Sequence, residues 1–113
     1  MDIRTTVVKG YHLLSIKWEI GARTDISALE KLIRSRKDMQ NVALEFTENS
    51  CLYTNSISVI LKCHEIVKRR KGKLAVVNPN EFISYALRTV GIANFMDVYA
   101  SVEDIGKERA SVY

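Results

Sequence analysis

The chain has 113 residues, 17 Lys and Arg against 13 Asp and Glu, a formal charge of +4 and 47% apolar residues; that length supports one domain, 1–113, able to bury well over half of its unfolded surface. No apolar run reaches the roughly 18 residues of a membrane helix, and Met1-Asp2-Ile3-Arg4 lacks the layout of a secretory signal, so a cytoplasmic protein is expected. Cys51 and Cys63 are too few for a disulfide framework, and with His12 and His64 they match no short-range zinc spacing, so neither a metal nor a cofactor is expected.

Ile3 to Lys9 and Tyr11 to Ile20 read as two strands joined at Lys9-Gly10. In the second, Leu14, Ile16 and Trp18 share one parity, with Ser15, Lys17 and Glu19 opposite, as in a half-buried strand. Thr24-Asp25-Ile26-Ser27 opens a helix to about Asp38, with Ile26, Leu29, Leu32 and Ile33 inward and Ser27 spaced from Glu30 as in a capping box. The alternating run Val42 to Thr47 predicts a strand, and Glu48-Asn49-Ser50 a polar turn.

A second helix follows to Arg70, with Thr54, Asn55 and Ser56 as candidate caps and Ile57, Ile60, Leu61, His64, Ile66 and Val67 as its buried stripe. Gly72 stands where a left-handed helix end favours glycine. Leu74 to Val77 is a short strand stopped by Asn78-Pro79-Asn80, which starts a third helix, Glu81 to Thr89, with Phe82, Ile83, Ala86, Leu87 and Val90 inward. Phe95 to Tyr99 is the last strand, and Ser101 opens a C-terminal helix to about Arg109 through a Ser-x-x-Asp cap.

Alternating strands and helices after an opening hairpin predict an α/β fold: one mixed, mostly parallel sheet of about five strands covered by about four helices. The joint at Tyr53-Thr54-Asn55-Ser56 then sits at the carboxyl edge of the sheet, where open α/β sheets bind. Lys68-Arg69-Arg70-Lys71 with Lys73, and Arg34, Arg36 and Lys37, fall at helix ends where cations complement the dipole. Without interleaved aromatics they read as solvated faces rather than a nucleic-acid footprint.

The path Val42-Ala43-Leu44-Glu45-Phe46, Leu52 to Leu61 and Lys71-Gly72-Lys73-Leu74-Ala75-Val76-Val77-Asn78-Pro79 resembles a STAS domain, the family of anti-sigma factor antagonists. Leu87-Arg88-Thr89-Val90-Gly91-Ile92 and Ser101-Val102-Glu103-Asp104 resemble its later helix end and closing helix, so the resemblance covers nearly the whole chain. In the family the joint usually reads Asp-Ser-Ser-Gly-Leu-Gly, and a serine there is phosphorylated by an anti-sigma kinase to switch binding off. Aligned on Val59-Ile60-Leu61, Tyr53 stands at the aspartate, Thr54 at the first serine, Asn55 at the usual acceptor, and Ser56 and Ser58 at the glycines; a one-residue shift instead gives Thr54 or Ser56 the acceptor role.

The resemblance implies a regulator that docks an anti-sigma factor, and so influences sigma-factor-dependent transcription, through Tyr53, Thr54, Asn55, Ser56 and Ile57 with Thr24, Asp25 and Asn78 nearby. Thr54, Ser56 and Ser58 are the phosphorylation candidates, with a serine kinase and a phosphatase as implied partners. The alternative is a scaffold or subunit of a signalling or transport complex without such a switch. Because no phosphate loop, catalytic triad or paired acids occur, an enzyme is not expected. Dimerisation is left open by the residues.

Overall fold

The computed structural model describes residues 3–92 and 96–105. Strand β1 (Ile3–Val8) turns back into β2 (Tyr11–Ile16) through two residues, Lys9 and Gly10, with φ of 51° and 83°. Positive φ at both central positions matches the right-handed twist of a hairpin, which explains the glycine there. Among the described residues three α-helices then alternate with three strands: α1 (Ser27–Ser35), β3 (Val42–Glu45), α2 (Thr54–Arg69), β4 (Leu74–Val77), α3 (Glu81–Thr89) and β5 (Asp97–Tyr99).

The strands lie in sequence order, with β1 antiparallel to β2 and every later pair parallel. Crossovers of one hand between consecutive neighbours all rise over the same side of a sheet. Accordingly Leu29 and Ile33 of α1, Ile60, Cys63 and Val67 of α2, and Ile83 and Leu87 of α3 share one core with Leu14, Leu44 and Val76 of the sheet. Each aliphatic side chain sealed there contributes roughly 2 kcal/mol. The opposite face is thinner: Leu13, Ala43, Ala75 and Val77 lie under Tyr11, Tyr99 and Ile105. Burial, helped by Tyr99 and Asp97, pushes the Tyr11 hydroxyl up to about 12.

Both sheet faces are therefore covered, and the expected half-buried alternation in β2 gives way to burial of Leu13, Leu14, Ser15 and Ile16 alike. The strand also ends at Ile16 rather than Ile20, because its partner β3 stops at Glu45, opposite Ser15. Ser15 Oγ donates to Glu45 Oε1 at that last pair, 2.8 Å away.

Helix ends depart from expectation in instructive ways. Ser27 is the first residue of α1 rather than its cap; Asp25 Oδ1 instead accepts the Ser27 N–H at 2.9 Å. At the end of α2 the left-handed position falls to Lys71, φ 61°, and Gly72 answers a different need. A Cβ on Gly72 would lie 1.7 Å from the Gln40 carbonyl oxygen, so only glycine permits the turn to press against the loop after α1.

The buried stripe of α2 is Ser56, Ile60, Cys63, Ile66 and Val67; Leu61, expected inward, is exposed. In α3, Ile83 and Leu87 are buried, whereas Phe82 and Val90 face solvent, against expectation. Both cysteines are free thiols, and burial pushes Cys63 up to about 12. The closing helix expected from Ser101 is, among the described residues, a short 3-10 turn, Val102–Asp104, with Ser101 Oγ donating to Asp104 Oδ2; its continuation to Arg109 and the strand residue Phe95 lie outside those residues. No helix among the described residues is long and apolar enough to cross a membrane.

Candidate functional site

Three connections meet at the carboxyl edge of the parallel strands, and polar side chains stitch them together. After β3 the chain turns at Glu48-Asn49 into Ser50, whose buried Oγ accepts the Ile20 N–H at 2.9 Å and shares a hydrogen bond with Thr47 Oγ1. The Cys51 N–H then donates to the Ile20 carbonyl. Asn80, which caps α3 by accepting the Ile83 N–H, donates its amide to the carbonyls of Glu48 and Ser50 at 2.8 and 2.7 Å. The loop after β2 thus holds the β3–α2 joint from one side, and the start of α3 holds it from the other.

On that support α2 begins openly. Tyr53 is its N-cap in extended conformation, no side chain caps it, and its first turn carries no acid. Thr54, Asn55 and Ser56 occupy the first three helical positions rather than the cap, and among the described residues their N–H groups find no protein acceptor. Asn55 instead donates its side-chain amide to the Thr24 carbonyl at 3.2 Å, tying the joint to the loop after β2. Thr24 Oγ1 accepts the Gly21 N–H at 2.8 Å.

The predicted residues therefore separate. Thr24 and Asn55 are in direct contact, and Tyr53, Thr54 and Ile57 line one groove. Thr54 and Ser58 are exposed, while Ser56 is fully buried with an unpartnered hydroxyl, closed to any enzyme that would modify it. Exposed Asp25 spends its carboxylate on α1: the Ser27 N–H holds it below the usual carboxylate range. Asn78, at φ 50°, is exposed and donates its N–H to the Tyr99 carbonyl, a link to β5 rather than to the joint.

The groove has a volume of about 410 Å³ and runs from Cys51, Tyr53 and Ile57 across to Phe82, Tyr85 and Val90 of the third helix and its end. Four of the six large apolar side chains exposed on the described surface, Tyr53, Phe82, Tyr85 and Val90, line it; Phe82 and Tyr85 are 67% and 66% exposed. A contiguous apolar patch of this kind marks an interaction surface more often than a scatter of single residues does. Sequence reasoning missed Tyr85 and took Phe82 and Val90 for core. The available signal was the width of the apolar arc on α3, since Phe82, Ile83, Tyr85, Ala86, Leu87 and Val90 are more than one nine-residue helix can bury against a sheet.

Residues 2–105 match the family model of the STAS domain. Among solved structures, the protein TM1081, determined by NMR, superposes with a TM-score of 0.74 at 16% identity, covering 92% of this chain and 85% of that one. An anti-sigma-factor antagonist (STAS) domain protein from Planctomyces limnophilus superposes at 0.69, also at 16% identity, covering 89% of this chain and 92% of its own. At that identity the likeness is one of fold. No curated protein matches the chain.

Proposed function

The chain belongs to the STAS domain family, and on that premise we propose that it is a non-enzymatic, cytoplasmic regulator, an anti-sigma factor antagonist that docks an anti-sigma factor through the open start of α2 and the groove beside α3. The observation that carries this reading is the convergence of Tyr53, Phe82, Tyr85 and Val90, all exposed, on one groove next to uncapped helix donors. Aromatic side chains supply large contact area at low conformational cost, and they dominate interface energetics. Occupying the anti-sigma factor would free its sigma factor for transcription.

Phosphorylation at this joint would add about two negative charges among free N–H groups at the positive end of a helix, tolerated locally yet changing what the partner meets. Thr54 and Ser58 offer accessible hydroxyls for it, and Ser56 does not. Calorimetric titration of the chain against each anti-sigma factor encoded in its source genome tests the reading: one partner should bind tightly, and Tyr85→Ala should weaken it. Absence of binding to all of them overturns it.

One observation favours the second reading, a scaffold or subunit of a signalling or transport complex without phospho-switching. The residue at the family's acceptor position, Asn55, has no hydroxyl, and its amide is engaged on the Thr24 carbonyl. Incubation with the source cell's serine kinases followed by mass spectrometry separates the two, since phosphate on Thr54 or Ser58 removes the reason for the scaffold.

A further inference from the structure

The sheet ends in two unlike edges. On one side β5 is three residues long, whereas on the other β1 runs six residues and, among the described residues, pairs only with β2. Exposed edges are ordinarily blunted by shortness, proline, a bulge or charge, because their free backbone groups template pairing with another chain. Ile3-Arg4-Thr5-Thr6-Val7-Val8 has no proline, pairs one for one with β2 without a bulge, and carries a single charge. Five of its six residues are β-branched, the type that favours strands.

The hairpin register says which of its backbone groups are free. Across a two-residue turn, Val8 and Tyr11 exchange hydrogen bonds, so Val8, Thr6 and Arg4 spend their N–H and carbonyl groups on β2. Ile3, Thr5 and Val7 turn theirs outward. The far side of β2 agrees: the His12 N–H, opposite Val7, donates away from β1 to the Asn41 carbonyl at 2.8 Å. The side chains of Ile3, Thr5 and Val7 share the helix side of the sheet, where Ile3 packs on the core while Thr5 is exposed and Val7 is 67% exposed.

We propose that β1 pairs with the β1 of a second copy of this chain, antiparallel about a two-fold axis at Thr5, so that the two sheets become one. Register and charge select this arrangement. Centred on Thr5, the outward residues meet as Ile3 with Val7 of the second copy, Thr5 with its own copy, and Val7 with Ile3, which gives roughly six backbone hydrogen bonds. Arg4 then faces the neutral Thr6 of the second copy. Centring on Arg4 loses one of these pairs and sets the two arginines face to face, which is unfavourable. Centring on Thr6 also loses one, because Lys9, at φ 51°, belongs to the turn. The Thr5 register covers exposed Val7 with an isoleucine and matches threonine with threonine, a favourable cross-strand pair. Such an axis stands perpendicular to the sheet, so both helix layers fall on one face. The groove beside α3 flanks β4, three strand spacings or roughly 14 Å from β1, and stays open in the pair.

The test is sedimentation velocity of the chain from about 10 µM to about 500 µM, with amide hydrogen exchange at both ends of that range. A single strand pair is a small interface, so a reversible dimer is expected, with a dissociation constant on the order of 100 µM. Protection of the Ile3, Thr5 and Val7 amides should rise with concentration, while that of Arg4, Thr6 and Val8 stays constant. Thr5→Lys and Thr5→Glu, at an exposed position, each set like charges opposite one another across the axis and should weaken the dimer about tenfold, and an equimolar mixture of the two should restore it. A monomer throughout the range, a dimer that withstands both Thr5 substitutions, or a mixture no tighter than its components would each overturn the proposal. So would loss of the dimer in Tyr85→Ala, which would place self-association at the groove, and full protection of the Ile3, Thr5 and Val7 amides in the monomer, which would place a segment of the same chain on the edge.

Discussion

At the carboxyl end of α2 six hydrogen bonds lock the turn from Arg70 to Lys73 onto the segment from Arg34 to Val42, whereas at its amino end three N–H groups lack an acceptor among the described residues and large apolar side chains stand in solvent. The helix is one rigid body, so the locked end positions the open one. Stability is concentrated where α1, α2 and β4 meet; chemistry that a partner could read is concentrated where α2 and α3 begin. The difference shows why the open end can vary its residues, as Asn55 does, without loss of the fold: the side chains there cover little of the core.

The strongest way to break this contrast is at Gly72. A methyl group at that position would meet the Gln40 carbonyl at 1.7 Å, a backbone atom with no rotamer to move. Gly72→Ala should therefore cost about 3 kcal/mol in urea unfolding, at the upper end for overpacking. A cost under about 0.5 kcal/mol, the size of an ordinary surface change, would show that the locked end is looser than its hydrogen bonds imply.

At the open end the expectation reverses. Phe82→Ala and Tyr85→Ala remove side chains that are two-thirds exposed, so the urea midpoint should barely move. Affinity for the proposed anti-sigma partner should fall by about 2 kcal/mol each, roughly thirtyfold, as at interface anchors. Loss of stability without loss of binding would place these aromatics in the fold after all.

Between the two ends lies Cys63, fully buried, its thiol pushed by burial from an ordinary 9.0 to about 12. The unfolded chain loses this proton first, so above pH 9 it binds fewer protons than the folded chain, and stability falls as pH rises. By pH 10 the loss amounts to about 1 kcal/mol. Denaturant titration at pH 8 and pH 10 should show that drop in the wild type, and Cys63→Ala should remove it, so that the variant's deficit against the wild type is smaller at pH 10 than at pH 8 by the same amount. Tyr11 adds a second, smaller decline of the same sign that sets in around pH 10, its ordinary value.

The order of strands and helices was legible because the period of the apolar residues and the turn residues around them are local properties. Which face each helix buries was less so. Leu61, Phe82 and Val90 satisfy a helical stripe as well as Ile60, Ile83 and Leu87 do, and residue type cannot say whether the cover is the sheet or a partner. Gly72 was legible as a necessary glycine but with the wrong cause, since its neighbour in space, Gln40, is remote in sequence. The joint itself was placed correctly at the start of α2, yet its division into exposed Thr54, engaged Asn55 and buried Ser56 depends on helical phase, which three adjacent polar residues do not reveal.

The finest probe of the contrast separates stability from recognition at one atom. Thr54 occupies the first position of α2, exposed, in a first turn without acids. Thr54→Asp places a carboxylate at the positive end of the helix and should raise stability by about 0.5 kcal/mol at neutral pH. The helix end holds that carboxylate's folded-state pKa below its unfolded value, so the gain persists above the ordinary carboxylate range and disappears as pH falls through it. The same charge should weaken docking, as a phosphate on that hydroxyl would, while the neutral Thr54→Asn changes neither. Thermal melting at pH 7 and pH 3, set beside affinity at pH 7, reads both effects. A variant that melts higher and binds worse would show that the start of α2 serves recognition at no cost to the fold, and equal binding by both variants would move the recognition surface off the helix end and onto the α3 aromatics alone.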